Sequence, residues 1–153
     1  MGRRSWSRPS AVLGALNPGL GLAILRIVLG VIFLMHGWPK LAGGIDATAG
    51  FLGSLGLPVP LLAAWGLALL EAVGGLLLIV GYLVAPVAVL LTLHMTAGIF
   101  LVHLANGFYV VGPGQGGIEF NLLLISALLT VLFAGPGFGT LKSRLQRDIT
   151  VSQ

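Results

Sequence analysis

Four charged residues lie inside long apolar runs of the sequence or at their ends: Arg26, Lys40, Glu71 and Glu119. An isolated charge is costly in the hydrocarbon core of a bilayer, so charged side chains there usually pair with each other and mark a site. Groups of this kind could bind a polar ligand or relay protons. They are therefore the first candidates for function.

The three histidines of the chain, His36, His94 and His103, add hydrogen-bonding groups to the same apolar runs. Counting from the expected helix ends at about 1.5 Å per residue places Glu71 and His94 near mid-membrane and Arg26 within side-chain reach of Glu71. We expect an ion pair between Arg26 and Glu71, with His94 as a neighbouring hydrogen-bond partner. The alternative is a purely structural pair that fixes helix register.

A second polar cluster is expected near the outer ends of the apolar runs and comprises His36, Lys40, His103 and Glu119. His94 and His103 are nine residues apart, which places them on opposite faces of a regular helix. Both could enter one central pocket only if the helix breaks near Gly98.

Redox groups held by the chain itself are restricted by its residue types. The sequence has no cysteine, which excludes disulfides, thiol redox chemistry, iron–sulfur ligation by this chain and covalent c-type haem attachment. A haem held by His36 and His103 is conceivable, but lone histidines near a membrane boundary are more often hydrogen-bonded interface residues. We expect neither haem nor a metal site.

The composition is that of a membrane protein. Of the 153 residues, 57% are hydrophobic and 8% are charged, whereas an ordinary soluble domain has about 25% charged residues. The net charge of +4 does not indicate nucleic-acid binding, because the basic residues cluster at the two ends of the chain. These terminal residues are Arg3, Arg4, Arg8, Lys142, Arg144 and Arg147.

Four apolar stretches are long enough to cross a hydrocarbon core of about 30 Å, at residues 19–38, 61–82, 83–104 and 118–134. The sequence therefore predicts an all-α, polytopic membrane protein, a bundle of four transmembrane helices. Gly81 and Pro86 supply the tight reversal between the second and third spans. A short interfacial helix at about residues 46–55, with Asp46 as its N-cap, is expected on the outer membrane surface.

Helical spacing predicts an interior face on three of the spans, where polar and small residues coincide. On the first span this face comprises Arg26, Gly30, Phe33, Gly37 and Lys40. On the second it comprises Ala64, Ala68, Glu71, Ala72 and Gly75, and on the fourth Glu119, Leu123, Ser126 and Thr130. The segment from Gly112 to Gly117 has the spacing G-x-G-x-x-G, but without a βαβ unit around it we interpret it as a glycine-rich loop.

Several segments together resemble the DoxX family. They are Leu25-Arg26-Ile27 with Gly30, Phe33-Leu34-Met35-His36-Gly37, Lys40-Leu41, Glu71 with the run from Gly74 to Ile79, Gly107-Phe108, Glu119-Phe120-Asn121-Leu122 and Gly135-Pro136-Gly137. The resemblance covers about residues 19–145. It implies a four-helix protein of the bacterial inner membrane, with residues 1–153 forming one domain.

The resemblance also implies a role as a membrane subunit of a quinone-linked or oxidative-stress-related redox complex, beside partner subunits or in a homo-oligomer. An interior polar cluster would then bind a quinone head group or relay protons. The candidates are Arg26, His36, Lys40, Glu71, His94, His103 and Glu119. Two alternatives stay open: a non-enzymatic scaffold or assembly factor for a partner protein, and a small-solute transporter.

Topology provides the first test. Six basic residues flank the termini, whereas only Lys40 lies in the first long loop, so the positive-inside rule places both termini in the cytoplasm. A reporter fused after Gln153 should be cytoplasmic and one inserted near Gly114 should be external. A cytoplasmic reporter at Gly114 would contradict the charge argument.

Overall fold

The computed structural model describes residues 17–112 and 115–141. Over these ranges the chain forms five α-helices and no strand. The helices are α1 (Pro18–Pro39), α2 (Ile45–Ser54), α3 (Pro60–Val80), α4 (Val84–Gly98) and α5 (Glu119–Ala134). A kinked segment at Lys40–Gly44, in which Gly43 has a non-helical φ of 150°, joins α1 to α2, and a π-helical turn at Ile99–His103 extends α4. The terminal basic clusters and Gly114, on which the topology argument rests, lie outside the described residues.

The helical membrane bundle expected from the sequence is confirmed. Three helical runs are long and apolar enough to cross a membrane, namely Pro18–Ser54, Pro60–Val80 and Val84–Asn106. The fourth, α5, is apolar but shorter, at 16 residues. The orientation of the bundle in the membrane stays a prediction.

The ends of the helices follow from local chemistry. At the start of α1, the Asn17 side chain accepts a hydrogen bond from the Leu20 N–H at 3.2 Å, which is the usual role of an N-cap asparagine. At the end of α3, Gly81 adopts a left-handed conformation with φ of 72°. The N–H groups of Gly81 and Tyr82 then both donate to the Leu77 carbonyl at 3.0 Å, which closes the helix and reverses the chain into α4.

Helices α1 and α3 pack together through glycine. A Cβ atom added at Gly30 would lie 2.6 Å from the Gly75 carbonyl oxygen, and one added at Gly75 would lie 2.6 Å from the Gly30 carbonyl oxygen. The backbones can therefore approach this closely only without side chains. The interior face predicted for α3 is confirmed, since all five residues are buried, and so is that of α1, where only Lys40 is partly exposed.

The interior face predicted for α5 is wrong. The buried residues of this helix are Asn121, Leu124, Leu128 and Val131, and the three leucine and valine side chains join the core beside α4. Ser126 and Thr130 are exposed instead. Their hydroxyls donate to carbonyls of their own helix at 2.9 and 2.8 Å. A hydroxyl that is satisfied in this way does not need the bundle interior.

Helix α2 forms where the interfacial helix was predicted and packs against α3. Asp46 is not its N-cap, because the helix begins one residue earlier and Gly44 holds the cap position. Asp46 instead lies in the first turn, where a negative charge favours the helix dipole. The position of α2 relative to the membrane surface stays a prediction.

The glycine contact can be tested by comparing two substitutions on α3. Gly75→Ala should lower the free energy of unfolding by about 1–3 kcal/mol, because the new methyl group would overlap the backbone of α1. Gly66→Ala is the matched control: nothing lies within 4 Å of its added Cβ, so it should be neutral or stabilise by up to about 1 kcal/mol. Unfolding in mixed micelles would measure both. Equal effects of the two variants would contradict the close packing.

Candidate functional site

Glu71 is a buried carboxylate in the middle of α3, and only 4% of its surface is exposed. Its Oε2 atom accepts a hydrogen bond from the Lys40 Nζ, and its Oε1 atom accepts one from the His94 Nε2–H at 3.0 Å. Lys40 follows the last residue of α1, and His94 lies on α4. Three segments of the bundle therefore meet at one carboxylate.

Both partners are needed because a charge buried in an apolar bundle is unfavourable unless it is paired and hydrogen-bonded. Lys40 is itself held in place, since its Nζ also donates to the His36 carbonyl in the last turn of α1 at 2.9 Å. The side chain of Lys40 stays 24% exposed, whereas that of Glu71 is 5% exposed. The carboxylate is thus the inner end of the pair and the ammonium group is its outer end.

The prediction of an ion pair between Arg26 and Glu71 is wrong. The Arg26 Nη1 donates to the carbonyls of Leu78 and Ile79 at 2.8 and 3.3 Å, and Nη2 donates to the Phe138 carbonyl at 3.2 Å. Carbonyls in the last turn of a helix lack partners within the helix and carry partial negative charge, so they attract a cation. Leu78 lies seven residues beyond Glu71, about 10 Å along the helix axis.

A cavity of about 600 Å³ lies beside Glu71, and all five helices contribute to its walls. Cavities of roughly 300–1,000 Å³ with apolar walls and a few polar groups are typical of small-molecule sites. Most of the lining side chains are apolar. The charged, histidine and amide side chains at its surface are His36, Lys40, Glu71, His94, His103 and Asn121.

The π-helical turn brings His94 and His103 to the same cavity. Regular α-helix ends at Gly98, and the Leu104 N–H then bonds to the Ile99 carbonyl, five residues earlier. A regular helix would place His94 and His103, nine residues apart, on opposite faces. The wider turn changes the direction in which the following side chains point, so both histidines line the cavity. His103 is fixed by its Nδ1–H, which donates to the Gly116 carbonyl at 2.6 Å. Single π turns of this kind often occur at functional sites.

Glu119 does not join the residues that line the cavity in the described part of the chain. Its Oε1 atom accepts the Val110 N–H at 2.7 Å, which ties the start of α5 to the preceding loop. In that loop the Gly117 N–H also bonds to the Tyr109 carbonyl at 2.9 Å. The predicted outer cluster is therefore divided: His36, Lys40 and His103 line the cavity, and Glu119 holds the loop.

Asn121 is a cavity residue that the search for charged groups and histidines missed. Only 5% of its surface is exposed, and its Nδ2 donates to the Met95 carbonyl on α4 at 3.3 Å. An amide in an apolar span is also costly without a partner. Its position two residues after Glu119, in an otherwise apolar run, was the available signal.

The arrangement can bind a molecule that is mostly apolar and carries a few hydrogen-bonding atoms. Lys40 and Asn121 supply donor groups at the cavity, and Glu71 links Lys40 to His94, whose Nε2–H it accepts. Such a linked set of ionisable side chains can also pass protons. No group of three or more potential metal-ligating side chains comes together within the described ranges.

The family model described as DoxX matches residues 21–104. The Escherichia coli K12 protein named "Inner membrane protein YphA" is 32% identical over 133 residues, covering 86% of this chain and 94% of that protein. The Bacillus subtilis 168 protein named "Putative oxidoreductase CatD" is 33% identical over 119 residues, covering 78% of this chain and 82% of that protein. No solved structure matches the chain.

The partners of Glu71 can be tested by double-mutant cycles. Glu71→Gln combined with Lys40→Met should show a coupling free energy of about 1–3 kcal/mol, because the two side chains are in direct contact. Glu71→Gln combined with Arg26→Met should be additive within about 0.5 kcal/mol, as is usual for distant sites. Unfolding in mixed micelles would supply the free energies. Coupling between Arg26 and Glu71, with additive effects at Lys40 and Glu71, would instead support an ion pair between Arg26 and Glu71.

Proposed function

The chain belongs to the DoxX family of membrane proteins, and we propose that its central cavity binds the head group of a membrane quinone within a redox complex. One observation carries this proposal. A mostly apolar cavity of about 600 Å³ has Glu71, held between Lys40 and His94, in its wall. The name of the Bacillus subtilis relative, "Putative oxidoreductase CatD", supports a redox role.

A quinone head group suits the chemistry of this cavity. It is a flat, largely apolar ring whose two carbonyl oxygens accept hydrogen bonds. The apolar walls would hold the ring, and Lys40 or Asn121 would donate to the carbonyl oxygens. A site that places a few donors in an otherwise apolar pocket fixes the orientation of its ligand.

The same side chains would handle the protons of the reaction. Reduction of a quinone to a quinol takes two electrons and two protons, and each carbonyl oxygen becomes a hydroxyl. In this proposal the electrons come from a catalytic partner protein. Protons reach the ring oxygens through the linked Lys40, Glu71 and His94 side chains. In this proposal the complex is located in the bacterial inner membrane, in keeping with the name of the Escherichia coli relative. Both termini of this chain lie in the cytoplasm, as the positive-inside rule predicts.

A scaffold function is the second candidate, and the hydrogen bonds of the charged residues favour it. Both oxygens of Glu71 already have protein partners, and Arg26 bonds only to backbone carbonyls among its described contacts. Charges used in this way fix the register of the helices and need no ligand. The membrane protein would then serve to hold a partner.

Binding of a quinone to the purified protein in lipid nanodiscs would decide between the two functions. Glu71→Gln should weaken binding at least about tenfold, which corresponds to 1.4 kcal/mol, because Lys40 and His94 lose the charge that positions them. Glu119→Gln removes the same charge outside the cavity and should leave the affinity unchanged. Titration followed by calorimetry would give the dissociation constants, with unfolding curves as the check that each variant is folded.

Absence of saturable quinone binding by the unsubstituted protein would contradict the proposal. So would equal losses in the Glu71 and Glu119 variants. Retention of a co-purifying partner in both variants, without quinone binding, would support the scaffold function.

A further inference from the structure

Three large apolar side chains that line the central cavity are well exposed. They are Phe51 on α2, Leu101 in the π-helical turn and Phe120 in the first turn of α5, with exposed fractions of 49%, 50% and 38%. Leu52 and Leu124 line the same cavity and are only 7% and 4% exposed, so contact with the cavity alone does not account for the larger exposure of the three, and they mark an opening of the cavity. We refer to Phe51, Leu101 and Phe120 as the apolar rim.

The rim exists because α2 packs on only one side. Within the described residues α2 packs against α3 and makes few contacts with α4 or α5. All three helices line the cavity, which therefore occupies a gap between α2 on one side and the pair formed by α4 and α5 on the other. Leu101 lies in the run Val84–Asn106, which is apolar enough to be in the hydrocarbon core of a membrane. The gap faces lipid if this run spans the bilayer.

A second approach to the cavity has the opposite chemistry. His36 lines the cavity and is exposed, and Lys40 is partly exposed beside it. A water-soluble ligand would enter from this polar side. The buried Glu71 carboxylate and its partner His94 lie in the interior, where a ligand from either side would meet them.

We propose that the cavity takes a ligand from the bilayer, and that an apolar tail of this ligand extends through the gap at the apolar rim into lipid. The inference rests on the proposed quinone function and adds the route of the ligand: the isoprenoid or alkyl chain lies in the gap at the apolar rim while the ring lies in the cavity.

Two physical arguments support an apolar tail that leaves the cavity at the apolar rim. A cavity of about 600 Å³ holds a ring with its substituents but cannot also enclose a long chain, so the chain needs an exit. An exit lined by phenylalanine and leucine leaves the chain in contact with apolar groups along its whole length, whereas the exit beside His36 and Lys40 would place it against charge.

The experiment narrows the gap with Leu101→Trp and compares two probes in nanodiscs. One probe is a dimethoxy-methyl-benzoquinone without a tail, and the other is the same ring with a decyl chain. The larger side chain should weaken binding of the decyl quinone by about tenfold or more, since overpacking acts on this scale. The tail-less quinone should bind within a factor of about two of its original affinity, because its contacts lie deeper in the cavity.

Leu104→Trp is the matched control. Leu104 is 53% exposed, close to the 50% of Leu101, but it does not line the cavity. It should leave the affinity for both probes unchanged. Phe120→Trp, on α5 at the same side of the gap as Leu101, should reproduce the selective effect of Leu101→Trp.

Two results would overturn the inference while the proposed function survives. In the first, both probes bind but neither rim substitution changes the affinity for the decyl quinone. In the second, each rim substitution weakens both probes equally, which would mean that the tail has no route of its own. If neither probe binds the unsubstituted protein, the quinone function itself fails.

Discussion

The fold of this protein depends on how one carboxylate is satisfied inside an apolar bundle. Glu71 is almost entirely buried, so each of its oxygens needs a donor, and the two donors come from different segments. Lys40 can reach it only if α1 lies close to α3. A Cβ atom at Gly37 would be 2.8 Å from the Cβ of Glu71, which shows how near α1 passes. The glycines of α1 and α3 therefore allow the two helices to pack closely and also bring Lys40 within reach of Glu71.

Arg26 and Glu71 are both buried, but their environments differ. Arg26 is enclosed by carbonyl oxygens at the end of α3 and after α5, where a cation completes the helix ends. Glu71 is bonded to side chains at the edge of a cavity. The first arrangement joins segments of the chain, whereas the second exposes part of a hydrogen-bonded set to a space that a small molecule could fill.

Much of the fold could be predicted from the sequence, because apolar run length and helical spacing determine it. Those patterns indicated the membrane bundle, the buried faces of α1 and α3, and the contact between His94 and Glu71. The partner of Arg26 could not be predicted, because backbone carbonyls at a helix end leave no signal in a search for opposite charges. Ser126 and Thr130 were misleading for a related reason, since their hydroxyls bond to their own helix. The cavity depends on a π turn at Ile99–His103, and no rule of spacing predicts where such a turn forms.

Solid-state NMR on the protein in lipid bilayers would test the central claim most directly, namely that Glu71 is held by Lys40 at a ligand cavity. With ¹⁵N-labelled lysine, histidine and arginine and ¹³C-labelled glutamate, the dipolar coupling between the Lys40 Nζ and the Glu71 Cδ should correspond to roughly 3–4 Å, the separation of a direct ion pair. Added quinone should shift the resonances of Lys40 and His94 and leave those of Arg26 unchanged. A missing Lys40–Glu71 coupling, or shifts at Arg26 in place of those at Lys40 and His94, would contradict this account.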